Sequence, residues 1–216
     1  MKRIRKSLIT STCLLAVFAL WTAAICLVDV RAIGPQGSAV GFAGINGFVH
    51  RLTGVHFGLY HITDWLGLVP VFVCMGFGIL GLVQWIKRKS ICKVDYDILI
   101  LGGFYIVTIA AYLFFESVVI NYRPVLINGY LEASYPSSTT LLVACVMPTA
   151  MMQCNRRVKN KALRKAISVI IGALIVFMVF ARLLSGVHWF TDIVGGVLLG
   201  AGLVLMYRAM IGLENR

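Results

Sequence analysis

The sequence contains few charged residues for its length. Only 13% of its 216 residues are Asp, Glu, Lys or Arg, and 60% are hydrophobic, whereas soluble domains are about a quarter charged and about half apolar. This composition excludes an ordinary soluble domain and predicts an all-α integral membrane protein. No internal repeat or low-complexity segment is present, so we expect one membrane domain over residues 1–216.

The chain also lacks paired cysteines and a recognisable metal motif. Its six cysteines form no CxxC pair, and none lies in a segment predicted to face outside; we interpret them as small buried apolar residues. His56, His61 and Asp64 lie close together in sequence, but their spacing matches no common metal site. We therefore predict neither a metal nor another cofactor.

Six apolar runs are each near the ~20 residues that a helix needs to cross a bilayer. The fourth run is the shortest, and a long segment of about 36 residues separates the first from the second. The runs cover residues 8–28, 66–86, 98–120, 139–154, 166–183 and 192–211.

The positive charge is distributed unevenly between the two sides of these runs. Net charge is +12, and sixteen of the 20 Lys and Arg fall at the N-terminus, at 87–93, at 156–165 and at the C-terminal end. Six crossings place all sixteen on one side, which the positive-inside rule assigns to the cytoplasm. The charge therefore indicates topology, not nucleic-acid binding. It predicts a multi-pass protein of a bacterial plasma membrane with both termini cytoplasmic.

The outer segment after the first run, residues 29–64, is rich in glycine. Within it, Phe42, Ile45, Phe48, Val49 and Leu52 recur at near-helical spacing. This pattern is typical of a short amphipathic helix on the membrane surface. A re-entrant lid over the helix bundle fits the same residues, and the sequence does not separate the two.

Three ionisable residues lie where the last two apolar runs meet, in Ala181–Asp192. Ionisable residues beside lipid usually have a function. His188 and Asp192 are four residues apart and would share a helix face if Asp192 opens the last helix. Arg182 adds a positive charge nearby.

Topology brings two further outer segments towards this stretch. Arg123 follows the third run, and Ser137 and Ser138 precede the fourth in a Pro-Ser-Ser-Thr-Thr helix start. Arginines and helix N-termini bind phosphate oxygens, and a histidine held by a carboxylate has one free ring nitrogen. Together these residues predict phosphoryl transfer through a histidine, without need of a metal.

The chain resembles the type 2 phosphatidic acid phosphatase family of six-span lipid phosphatases. The family signatures are Lys-x6-Arg-Pro, Pro-Ser-Gly-His and Ser-Arg-x5-His-x3-Asp. The corresponding stretches occur in the same order and spacing over residues 116–196: Glu116-x6-Arg123-Pro124, Pro136-Ser137-Ser138-Thr139 and Ala181-Arg182-x5-His188-x3-Asp192.

The resemblance implies a role for each matching residue. His188 would be the nucleophile that forms a phosphohistidine, and Asp192 would orient it. Arg123, Arg182 and Ser137 would hold the phosphate, with Ser138 beside them.

Three positions depart from the family pattern. Glu116 replaces the lysine, Thr139 replaces the histidine that protonates the leaving group, and Ala181 replaces a serine. A general acid contributes ~10²–10⁴-fold, and a phosphate leaving group needs it less than an alkoxide does. The departures thus favour a pyrophosphate lipid over a monoester.

Glu116 has two interpretations. It lies two helical turns before Arg123, so a buried, protonated Glu116 would act as the acid, whereas an ionised one would form an ion pair with Arg123. We expect the ion pair.

The sequence predicts a membrane lipid phosphatase or pyrophosphatase that acts at the outer membrane face. Its substrate would be a lipid such as undecaprenyl pyrophosphate or a phosphatidic-acid-type lipid. The alternative is a catalytically impaired relative that binds phospholipid head groups or serves as a membrane partner. A small transporter is less favoured, because the ionisable residues cluster at one surface.

Overall fold

The computed structural model describes residues 2–212, and this part of the chain is helical. It contains no β-strand, only three isolated bridges. The eight α-helices are α1 (Lys2–Leu27), α2 (Ala43–Thr53), α3 (Phe57–Leu66), α4 (Leu68–Arg88), α5 (Tyr96–Ser117), α6 (Ser138–Arg157), α7 (Lys161–Leu184) and α8 (Phe190–Ile211).

Five helical stretches among the described residues are long and apolar enough to cross a membrane. They are α1, α5, α7, α8 and the continuous stretch Phe57–Arg88, which joins α3 to α4. The chain is therefore a multi-pass membrane protein. The second apolar run extends further towards the N-terminus than its sequence predicted, and the third ends at Ser117 instead of 120.

The fourth predicted run forms α6, which is not among those five stretches. This helix packs against α7, α8, α4 and α5, and nearly half of its side chains are buried, including Val143, Cys145 and Val146. Because its neighbours are mainly other helices, α6 needs less apolar surface than a helix that faces lipid.

The centre of the bundle lies where α1, α6 and α8 meet. Leu141 and Cys145 of α6 pack in one apolar cluster with Phe18 and Ile25 of α1 and Leu199 of α8. Alternate connections return to the same end of the bundle, so the end of α5 and the starts of α6 and α8 lie together.

The chain between α1 and α4 forms α2 and α3, and each contacts the bundle differently. On α2, Ile45, Phe48 and Leu52 are exposed while Asn46 is buried, so the apolar side faces away from the bundle, as expected for a surface helix. Asn46 Nδ2 donates to Thr191 Oγ1 at 3.0 Å, and its Oδ1 accepts from the Thr191 amide at 3.2 Å. The sequence did not predict α3, which packs against α7.

Candidate active site

His188 lies in the short connection between α7 and α8, which packs against the turn between α2 and α3. The connection turns at Gly186, whose φ of +68° favours glycine and whose Cβ position would be 1.9 Å from the Gly54 carbonyl oxygen. The His56 amide donates to the Ser185 carbonyl at 2.9 Å. These contacts fix the connection, and His188 within it is 3% exposed.

Asp192 is a fully buried carboxylate in the first turn of α8. Its Oδ2 accepts from the Trp189 amide at 2.9 Å and from the Ser134 hydroxyl. Its Oδ1 accepts from Asn121 Nδ2 at 3.3 Å. Three donors, two from the segment between α5 and α6 and one from the start of α8, thus stabilise the charge that burial would otherwise oppose.

The His188 ring contacts Ser134 more closely than it contacts Asp192. His188 Nδ1 lies 3.7 Å from Asp192 Oδ2, which is too long for a hydrogen bond. The same nitrogen lies 3.2 Å from the Ser134 carbonyl oxygen and 3.1 Å from Ser134 Oγ. Since a carbonyl only accepts, Nδ1 carries the proton and donates. Nε2 therefore holds a lone pair, and it is buried without a partner.

The surroundings of His188 favour its neutral form. Burial lowers the pKa of His188 well below 6.5, and the positive charges of Arg123 and Arg182 lower it further. A neutral imidazole with a free Nε2 is a nucleophile.

Arg123 lies on the segment between α5 and α6 and is nearly buried. Its amide donates to the Glu132 carbonyl at 3.0 Å, and its Nε lies 3.1 Å from Glu132 Oε2. This ion pair is not aligned as a hydrogen bond, so Nε and Nη1 remain without an acceptor.

Our expectation of an ion pair between Glu116 and Arg123 is therefore wrong. No ion pair of Glu116 occurs among residues 2–212, and Glu132 takes its place. The reason is the backbone pairing at Glu132, which holds that carboxylate beside Arg123. Glu116 lies exposed in the last turn of α5.

Arg182 is only 1% exposed and is positioned by α3. Its Nη1 donates to Thr63 Oγ1 at 3.1 Å, its guanidinium lies 4.9 Å above the Tyr60 ring, and its Nη2 lies 3.9 Å from Asp64 Oδ1. Nε has no partner. The structure thus assigns α3 a role that the sequence did not reveal.

Ser137 precedes α6 and faces the start of α8. Its amide donates to the Asp192 carbonyl at 3.1 Å, while its buried Oγ has no partner and does not cap α6. A free hydroxyl at a helix N-terminus is suited to an anion.

Two adjacent cavities share the walls formed by Tyr112, Ser138 and Leu141. The first is narrow and reaches His188, Arg123 and Glu116. The second, of about 300 Å³, is mainly apolar and lies between α4, α5 and α6. Thr139 lines the second cavity and not the first.

The segment between α5 and α6 folds back on itself and carries Arg123 and Ser134 to the site. Tyr122 forms a bridge with Ala133, and the Ser134 amide donates to the Asn121 carbonyl at 2.9 Å. The sequence did not reveal that Ser134 and Asn121 belong to this site. The sequence feature that indicates the fold of this segment is Asn128-Gly129, a typical hairpin turn. Asn128 and Gly129 have φ values of +51° and +85° in the structure.

Within residues 2–212, no three or more His, Cys, Asp or Glu side chains form a group that could hold a metal ion. His56, His61 and Asp64 therefore do not converge on a metal site.

The fold and this site define a multi-pass helical membrane protein with a buried, positively charged site around a histidine. The sequence profile of the PAP2 superfamily matches residues 72–216, and the chain belongs to this superfamily. The resemblance found in the motifs is thereby confirmed.

The fold is also that of a solved membrane protein, described as the first transmembrane PAP2 type phosphatidylglycerolphosphate phosphatase from Bacillus subtilis. The two share 17% sequence identity and a TM-score of 0.64, over 95% of this chain and 96% of the other. A comparison with curated proteins gives no significant match.

Proposed function

We propose that the chain is a membrane lipid phosphatase that acts through a phosphohistidine at His188. One observation carries the proposal: buried polar atoms that make no hydrogen bond occur in all three signature stretches. They are His188 Nε2, Arg123 Nε and Nη1, Arg182 Nε and Ser137 Oγ. Buried polar groups are normally paired, and phosphate oxygens beside a nucleophile would satisfy this set.

In the first step, His188 Nε2 attacks the phosphorus atom. The Nε2–P bond forms, the bond to the leaving oxygen breaks, and that oxygen takes the electron pair. The ring becomes positively charged, and its Nδ1–H is stabilised through Ser134 and Asp192. Arg123 and Arg182 stabilise the charge on the phosphoryl oxygens.

In the second step, water attacks the phosphohistidine. The P–Nε2 bond breaks, its electron pair returns to Nε2, and inorganic phosphate leaves with the oxygen from water. The protons of that water pass to phosphate and solvent, so no further reactant is required.

The protonation of the leaving oxygen is the part of the reaction for which the site offers no clear general acid. Thr139 is a poor acid and lines the apolar cavity, so it does not replace the family histidine. A leaving phosphate is stable as an anion, and we therefore propose a lipid pyrophosphate as the preferred substrate.

The apolar cavity favours a lipid over a soluble phosphate. It adjoins the cavity at His188 and is lined by residues such as Leu68, Ile109 and Leu142. A hydrocarbon chain there would place an attached phosphate near Ser138, which borders both cavities.

The proposed topology has six crossings, with α6 as the interior one and the site on the outer face. The end of α5, the start of α6 and the connection from α7 to α8 carry the site. The basic residues at 87–93 and 156–165 lie at the opposite ends of these helices, which the positive-inside rule assigns to the cytoplasm.

Purified full-length protein, assayed in EDTA with a panel of lipid phosphates and pyrophosphates, tests the proposal. We expect phosphate release, fastest from pyrophosphates, and none from His188→Ala. No release from any substrate would overturn the proposal and favour the alternative, a relative that binds phosphorylated head groups. The observation favouring that alternative is that Glu116, and not a lysine, lines the cavity that reaches His188.

A further inference from the structure

We propose that Ser134 is the positioning residue that couples Asp192 to the nucleophile His188. This inference deepens the proposed function and rests on it for the kinetic part of its test. Ser134 belongs to none of the three signature stretches by which the sequence matches the family.

The contacts of Ser134 place it between the two residues. Its Oγ lies 3.1 Å from His188 Nδ1 and donates to Asp192 Oδ2. The direct distance from Nδ1 to Oδ2 is 3.7 Å. A hydroxyl that accepts from one partner and donates to the other joins them in a single chain, whereas the carboxylate alone does not reach the ring.

The Ser134 backbone provides a second contact to the same nitrogen. Its carbonyl oxygen lies 3.2 Å from Nδ1 and accepts only, so it fixes the ring form in which Nδ1 is protonated and Nε2 is free. The side chain then connects that N–H to a buried negative charge. Ser134 thus determines which nitrogen of the His188 ring carries the proton, and it also connects that N–H to the carboxylate of Asp192, which would stabilise a positive charge on the ring.

Ser134 is itself held in place from both sides. Its amide donates to the Asn121 carbonyl at 2.9 Å, and Asn121 Nδ2 donates to Asp192 Oδ1 at 3.3 Å. Ser134 is 3% exposed, so bulk water does not compete for its hydroxyl. The hydroxyl therefore has two fixed partners and little freedom to rotate.

The kinetic test compares wild type with Ser134→Ala and Ser134→Thr on the best lipid substrate. We expect Ser134→Ala to lower kcat by roughly 10–100-fold, as for other groups that orient a reactive side chain, with KM little changed. Ser134→Thr keeps the hydroxyl and should recover much of the loss. Ser11→Ala is the matched control, because Ser11 is also fully buried but donates to the Gly202 carbonyl in another part of the bundle.

A double-mutant cycle tests whether Ser134 acts through Asp192. If it does, Ser134→Ala should cost little more in kcat on an Asp192→Asn background, since the pair would act as a unit. Independent, additive losses would overturn the inference. A Ser134→Ala variant that keeps wild-type kcat would overturn it equally.

A measurement without turnover separates this inference from the proposed function. The sequence has only four histidines, so ¹⁵N-NMR of histidine-labelled protein in micelles, with His188→Ala to assign the signal, reports the ring form of His188. We expect a protonated Nδ1 and free Nε2 in wild type, with a shifted Nδ1 signal in Ser134→Ala but not in Ser11→Ala. That result without any phosphatase activity would contradict the proposed function alone; an unshifted Nδ1 signal would contradict the role of Ser134.

Discussion

His188 combines two properties that rarely occur together in a histidine: it is almost fully buried, and one ring nitrogen has no partner. Burial keeps water away from Nε2, while Ser134 holds the proton on Nδ1. Two buried arginines nearby oppose protonation of the ring. The residue is therefore prepared to attack an anionic group, whose charge the same arginines would stabilise.

The charge of Arg123 should contribute to the pH at which His188 becomes active. The pKa of His188 is lowered by burial first and then by Arg123 and Arg182. His188 of the wild type should therefore stay neutral, and kcat/KM should stay near its maximum, as the pH falls well below 6.5. Arg123→Gln removes one opposing charge, so the pKa of His188 rises and the acid limb of kcat/KM moves to higher pH.

Arg51→Gln provides the control for that profile, because Arg51 is exposed on α2. It should leave the acid limb in place. An acid limb that stays fixed or moves to lower pH in Arg123→Gln would contradict this electrostatic explanation. Asp192, Glu116 and Glu132 are the carboxylates near His188 and Arg123. They are left unsubstituted in both variants, so that the two pH profiles differ only in the arginine removed.

Glu116 places a negative charge on the wall of the cavity that reaches His188. Glu116→Gln should lower KM for a lipid phosphate by up to about fivefold, since like charges about 4 Å apart in water repel by about 1 kcal/mol. The readout is a steady-state comparison of kcat and KM. If kcat instead falls and the alkaline limb of the pH profile disappears, Glu116 acts as the acid.

At the scale of elements, the connection between α7 and α8 depends on its contact with the turn between α2 and α3. Gly186→Ala would put a Cβ 1.9 Å from the Gly54 carbonyl oxygen at a φ of +68°, and that backbone conformation alone costs a non-glycine residue about 1–2 kcal/mol. We expect a lower Tm in detergent and loss of activity, because the turn between α2 and α3 must move away from the connection that carries His188.

Gly172→Ala is the matched substitution in α7, where a Cβ would meet nothing within 4 Å. Alanine is favoured over glycine by about 1 kcal/mol inside a helix, so this variant should keep or raise Tm. Equal Tm values for the two variants would contradict the proposed contact.

The elements differ in how far the sequence alone predicted them. The apolar runs located the long helices, because lipid contact demands continuous apolar surface. The sequence did not predict α3, since its aromatic residues and Gly58 gave no clear period and it continues directly into α4. The fold of residues 121–134 was missed for another reason: its backbone pairing involves only single bridges.

The site residues likewise divide into those that the sequence predicted and those that only the fold reveals. Motif spacing identified His188, Asp192, Arg123 and Arg182 as a group, because chemistry restricts those residue types. Ser134 looked like any serine in a polar connection, and its contact with His188 depends on the fold of the whole segment. The partner of Arg123 was predicted wrongly because helix spacing alone does not show where the chain returns.

At the scale of the whole molecule, the proposed topology requires the segment between α5 and α6 to lie outside the cell. Tyr130 is exposed near the tip of this segment, and Cys92 is exposed in the connection between α4 and α5. A membrane-impermeant maleimide should label Tyr130→Cys in intact cells and Cys92 only after permeabilisation. Mass spectrometry identifies the labelled peptide. The reverse pattern would place the site in the cytoplasm.

The central claim is that a phosphoryl group passes through His188. The most direct measurement is rapid alkaline quenching of full-length protein during turnover of a ³²P-labelled lipid pyrophosphate, followed by mapping of the labelled peptide. We expect acid-labile phosphate on His188, formed before phosphate release and absent from His188→Ala. Phosphate release by His188→Ala at the wild-type rate, or a labelled residue other than His188, would contradict it.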